Sequence, residues 1–115
     1  LALIEYWHNP RCSKSRIGLA LLEEKGAVLN IRKYLEDTPT EDELRDVLEK
    51  LDLPVIRMVR TGERLFKEVG LAKTTTDAEL IRAMVDNPIL IERPVGISGD
   101  TAVIGRPPEN LLALL

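Results

Sequence analysis

The sequence has little that could crosslink or ligate: among 115 residues there is one cysteine, Cys12, and one histidine, His8. A single cysteine makes no intrachain disulfide, and with one histidine it cannot close a tetrahedral zinc site, so disulfide scaffolds and zinc fingers are excluded and no metal site is expected. No apolar run approaches the roughly 18 residues of a membrane span, and Leu1-Ala2-Leu3-Ile4 is interrupted by Glu5 before it could form the core of a signal peptide. A soluble protein of the reducing cytoplasm, with no membrane partner, is the expectation. A basic excess is also missing. The net charge of -3 argues against a nucleic-acid partner held by a general positive field. Repeats, low-complexity tracts, linkers and heptad seams are absent too. With 44% hydrophobic and 30% charged residues, the chain reads as one monomeric domain over residues 1–115, long enough to bury a core unaided.

What is present is unevenly placed. Residues 1–35 carry six Lys or Arg against three Glu, while residues 36–115 carry ten against sixteen acids, so the basic excess surrounds the one cysteine. Leu1 to Trp7 reads as a strand ended by the turn-forming pair Asn9-Pro10. A helix follows, with Ile17, Ala20, Leu21 and Leu22 as its apolar stripe and Gly26 at its end, which places Cys12 at the helix N-terminus. Alternation from Val28 to Tyr34 predicts a second strand and completes a βαβ unit.

The middle of the chain reads as helical. Thr40 and Glu43 form a capping-box pattern ahead of Leu44, Val47, Leu48 and Leu51, and Thr76 and Glu79 repeat it ahead of Leu80, Ile81, Met84 and Val85. Between them, Pro54 opens a short helix through Val59, broken at Gly62, with a second break at Gly70. Ile89 to Glu92 and Val95 to Ile97 are strand-like, Ser98-Gly99-Asp100 is a turn, and Thr101 to Ile104 pairs back as a hairpin. Pro107-Pro108 opens a terminal helix. The expected fold is α/β: a βαβ unit and a β-hairpin unit in one mixed sheet, with a helical insertion at about 40–86 between them.

The segment His8-Asn9-Pro10-Arg11-Cys12-Ser13-Lys14-Ser15-Arg16 carries the chemistry. A helix N-terminus offers free N–H donors and a partial positive charge, and Arg11, Lys14 and Arg16, with His8 as a further candidate, add cations that favour thiolate over thiol. The same donors suit an oxyanion. A phosphatase-type loop would need Arg six positions after the cysteine, where Gly18 stands, and there is no Gly-x-x-x-x-Gly-Lys loop. The pattern at Cys12 is instead Cys-x-x-Ser, with Ser15 in the place of a second thiol, so an outside thiol must clear any covalent intermediate.

That segment, together with Arg60-Thr61, Glu92-Arg93-Pro94-Val95 and Ile104-Gly105-Arg106-Pro107-Pro108-Glu109, resembles the glutaredoxin-dependent arsenate reductase family over essentially the whole chain. The resemblance implies a thioredoxin-like fold. It implies Cys12 as nucleophile, Arg60, Arg93 and Arg106 as ligands of the arsenic oxyanion, His8 as an aid in lowering the thiol pKa, and Pro94 as a cis proline facing the cysteine. It also implies arsenate as substrate, glutathione as co-substrate and glutaredoxin as partner, with no bound cofactor. Ser13-Lys14 departs from the small uncharged pair expected after the cysteine, and Lys14 would either strengthen oxyanion binding or occlude the pocket. Two other readings remain open: a regulator of the same fold that binds RNA polymerase, and a general glutathione-linked thiol oxidoreductase. Ser15 removes the disulfide switch that the regulator would use.

Overall fold

The computed structural model describes residues 3–115, so the expected strand positions Leu1 and Ala2 lie outside the described residues. Two compact units form. One runs to Asp37 and resumes at Arg93 to Leu115, and the other is Thr38–Glu92.

The first unit holds a four-stranded sheet made of β1 (Leu3–Trp7), β2 (Val28–Arg32), β3 (Val95–Ser98) and β4 (Thr101–Ile104), in the order β2-β1-β3-β4. β1 pairs parallel with β2 across helix α1 (Ser13–Glu24), while β3 pairs antiparallel with β1 and with β4. This is the expected thioredoxin-like mixed sheet, a βαβ half joined to a hairpin half. Gly99 makes the two-residue hairpin turn possible by adopting φ +57, a region that L side chains avoid. β2 stops at Arg32 rather than reaching Tyr34, because Lys33 turns the chain and its carbonyl accepts from the Glu36 and Asp37 amides.

Ile4 and Tyr6 of β1 form a core cluster with Leu22 of α1 and with Leu111 and Leu114 of the terminal segment. That segment, Pro108–Leu114, is a 3-10 helix rather than an ordinary helix. The buried face of α1 also departs from the apolar stripe. Ser15, Gly18 and Leu22 are buried and Ile17 is 50% exposed, so the helix is rotated to bring Ser15 and Gly18 inward beside Leu22. Close packing explains the choice: a Cβ on Gly18 would lie 2.8 Å from Leu111 Cδ1, and one on Gly105 would lie 2.9 Å from Pro94 Cγ.

The second unit is largely helical. α2 (Glu41–Leu51) buries Leu44, Val47, Leu48 and Leu51, as its spacing predicts, and its capping box is fully formed. A 3-10 turn covers Val55–Met58, and α4 (Asp77–Asp86) follows a Thr76 side chain that accepts from the Glu79 amide. Between them lies α3 (Arg64–Glu68), a five-residue helix that no periodic stripe announces. Ile89 to Glu92 is not a strand. Pro88–Leu90 forms a 3-10 turn and only the single bridge Val59–Ile91 is extended, since the Pro88 ring starts a turn where a ladder would need a partner. Among the described residues no helix is long and apolar enough to cross a membrane.

Candidate active site

Cys12 is the residue preceding α1, in extended conformation, and its side chain makes no hydrogen bond that caps the helix. A tight turn delivers it there: the Cys12 amide donates to the Asn9 carbonyl at 3.0 Å, and the Arg11 amide donates to Asn9 Oδ1 at 3.1 Å. No acidic residue occupies the first turn of α1. The amides at the start of the helix are therefore open to an anion, and the half-buried thiol stands beside them.

Burial pushes the Cys12 pKa up, but the Ser15 and Lys14 amides and the Arg93 guanidinium, which donates a hydrogen bond to the sulfur, outweigh it and leave the thiol below its ordinary value. The cation that acts on the thiolate is thus Arg93, distant in sequence, rather than the local cluster expected from the motif. Arg16 donates to the Pro10 carbonyl at 2.9 Å. Arg11 lines a cavity of about 270 Å³ with His8, Lys33 and Glu36, on a lining that does not include Cys12. Lys14 is exposed and contributes its amide.

His8 is not a cation here. Burial, then the Lys33 ammonium and the Arg16 guanidinium, lower its pKa and keep the imidazole neutral. Its Nδ1 lies 2.7 Å from the Ser15 hydroxyl, which itself accepts from the Asn9 amide at 3.0 Å. Ser15 is fully buried, so in this Cys-x-x-Ser motif the hydroxyl ties the end of β1 to the first turn of α1. The sequence motif gave no sign of a third participant, Tyr6, whose phenol donates to the Ser15 carbonyl at 2.6 Å. Burial raises the Tyr6 pKa and keeps that proton in place.

The structure brings Arg106 to the same unit and edge as Arg93. Arg106 donates to the Arg93 carbonyl at 3.3 Å, and the Gly105 amide donates to the Pro94 carbonyl at 2.9 Å. The Arg93–Pro94 peptide is cis, as is Arg106–Pro107, so both arginines immediately precede a cis proline. Pro94 is buried against Gly18 and Gly105. Arg60 belongs to the helical unit, where its guanidinium donates to the Ile89 carbonyl at 3.2 Å and pairs with Glu63 at 3.2 Å. Chemically, the first unit offers a thiolate at the positive end of a helix with no acid in its first turn, and two guanidinium groups, which suits nucleophilic attack on an oxyanion.

The chain as a whole is similar to known proteins. Residues 7–114 match the ArsC family. An arsenate reductase of Neisseria meningitidis is 46% identical, the match covering 97% of this chain and 97% of that protein. An arsenate reductase of Haemophilus influenzae is 45% identical, with 95% and 96% covered. Among solved structures, the arsenate reductase from Vibrio cholerae superposes with a TM-score of 0.95 at 42% identity, covering 99% of this chain and 98% of its own.

Proposed function

Since this chain belongs to the ArsC family, we propose that it is an arsenate reductase that uses Cys12 as nucleophile and glutathione with glutaredoxin as reductant. The observation that carries this reading is the hydrogen bond from Arg93 to the Cys12 sulfur at an uncapped helix start, where a nucleophile and an anion share one set of donors. Arg93 and Arg106 take the arsenate oxygens, and the family resemblance adds Arg60 as a third ligand. The Cys12 thiolate attacks arsenic(V), an oxygen leaves as water, and a thiol-arsenate adduct results.

The glutathione thiolate then attacks the Cys12 sulfur of the adduct, forming an S–S bond as the S–As bond breaks and leaves its electron pair on arsenic. As the two sulfurs join in a mixed disulfide, arsenic takes the two electrons and departs as arsenite, and glutaredoxin reduces the disulfide to restore the thiol. The chain supplies position and charge while the electrons come from thiols, so glutathione is a co-substrate and no bound cofactor takes part. His8 and Ser15 hold the helix start in register with β1.

The test is arsenate-dependent NADPH oxidation coupled through glutathione, glutaredoxin and glutathione reductase. Turnover is expected for the native chain and background for Cys12→Ser. Equal rates for the two proteins would sink the assignment of the nucleophile. No turnover from a native thiol that still alkylates quickly would replace this reading with the general thiol oxidoreductase.

A further inference from the structure

We propose that Tyr6 is a positioning residue for Cys12, admitted by the gap at Gly18: its phenol fixes the Ser15 backbone whose amide faces the sulfur. The geometry is specific. Tyr6 is fully buried on the central strand β1, and its hydroxyl donates to the Ser15 carbonyl at 2.6 Å. The Ser15 carbonyl is also the acceptor that the α-helical ladder assigns to the Leu19 amide, so the phenol joins the helix at one of its backbone hydrogen bonds.

Only a residue without a side chain permits this approach. A Cβ on Gly18 would come within 2.5 Å of the Tyr6 oxygen, closer than real atoms stand. Gly18 is therefore in place for the phenol, and the mid-helix cost of glycine is accepted where the helix meets the strand. Every polar group of Ser15 is thereby assigned. Its carbonyl is held by Tyr6, its hydroxyl by His8 and the Asn9 amide, and its own amide bears on the Cys12 sulfur. Fixing two of the three groups orients the third, which is how a side chain that never donates to the sulfur sets the donor that does.

The inference rests on the reading of Cys12 as nucleophile, but its test does not require arsenate turnover. The charged and titratable groups that face the thiol are Arg93, from the segment before β3, and Tyr6 from β1, while α1 contributes amides. The experiment is the pH profile of Cys12 alkylation by iodoacetamide in the native chain, Tyr6→Phe, Gly18→Ala, their double variant, and Leu22→Ala. Leu22 belongs to the same buried helix face and core cluster but carries no polar group.

Tyr6→Phe is expected to raise the thiol pKa by roughly half to one unit, the size of one lost hydrogen bond in the supporting network. Gly18→Ala should shift it the same way, and the double variant by no more than the larger single change, because both remove one contact. Leu22→Ala should lower the melting temperature and leave the profile in place. A native profile in a cooperatively melting Tyr6→Phe protein would overturn the proposal. So would a shift in Leu22→Ala equal to that in Tyr6→Phe, since it would show general loosening of the helix.

Discussion

The N-termini of α1 and α2 solve the same problem in opposite ways. α2 saturates itself: Thr40 accepts from the Glu43 amide at 3.1 Å, Glu43 accepts from the Thr40 amide at 3.0 Å, and Glu41, Asp42 and Glu43 set negative charge against the positive end of the helix. α1 does none of this. Its cap position holds Cys12 with no side-chain cap, and its first turn holds Lys14 and Arg16 but no acid. A helix start that is electrostatically complete has nothing to offer a ligand. One left open draws in the nearest anion, and here that is a thiolate.

The sharpest way to break this contrast is to remove the cation that the open end recruits. Arg93→Ala deletes a hydrogen bond to a charged sulfur and should raise the Cys12 pKa by roughly one unit or more. At any fixed pH below the thiol pKa, alkylation should then slow about tenfold or more. An unshifted profile would mean that the helix amides alone set the thiol. At α2 the complementary change is Thr40→Ala, which should cost about 1 kcal/mol of stability through loss of the capping box. Urea unfolding should show that loss while Cys12 alkylation keeps its native rate, and a change in both would erase the distinction between the two ends.

The same contrast explains what could be read in the sequence. α2 was legible because its cap, its acids and its apolar stripe all state one local preference, and the capping box stands where Thr40 and Glu43 placed it. α1 misled the stripe reading because Ile17 is turned outward by long-range packing: Gly18 must meet Tyr6, Leu111 and Pro94, and no local window contains those partners. The strand expected at Ile89 to Glu92 failed for a related reason, since apolar composition cannot tell a buried turn from a buried strand. At the site, Cys12 and its helix start were visible in one nine-residue motif. The group that acts on the sulfur, Arg93, lies far along the chain and was legible only through resemblance. Tyr6 carried no signal, because a tyrosine in an apolar strand reads as core until its hydroxyl is seen to have a partner.

A smaller perturbation converts one end toward the other. Ser13 is exposed in the first turn of α1, and Ser13→Glu supplies the acid that α2 has and α1 lacks. The helix should gain about 0.3–1 kcal/mol from charge against its dipole, provided the carboxylate stays exposed. The same charge lies near the thiolate and should raise its pKa by roughly half a unit. Melting and alkylation measured on one sample decide the matter: stability up with reactivity down sharpens the contrast, and a rise in both would break it.

The smallest effect lies in the pH dependence of stability, where the two groups of the α1 start with lowered pKa, Cys12 and His8, act in the same direction. Cys12 has a folded pKa below its ordinary 9.0, so between the folded value and 9.0 the unfolded chain holds more protons and stability rises with pH. That contribution is complete above 9.0 and lost as the pH falls through the folded value. His8 has a folded pKa below its ordinary 6.5, so acidification through 6.5 protonates the unfolded imidazole first, and stability falls until the folded value is passed. Urea unfolding from about pH 5 to about pH 9 should therefore show two shallow rises. Cys12→Ser should abolish the alkaline one and His8→Asn the acid one, and a curve that declines anywhere in either window would contradict the charge states assigned to this helix start.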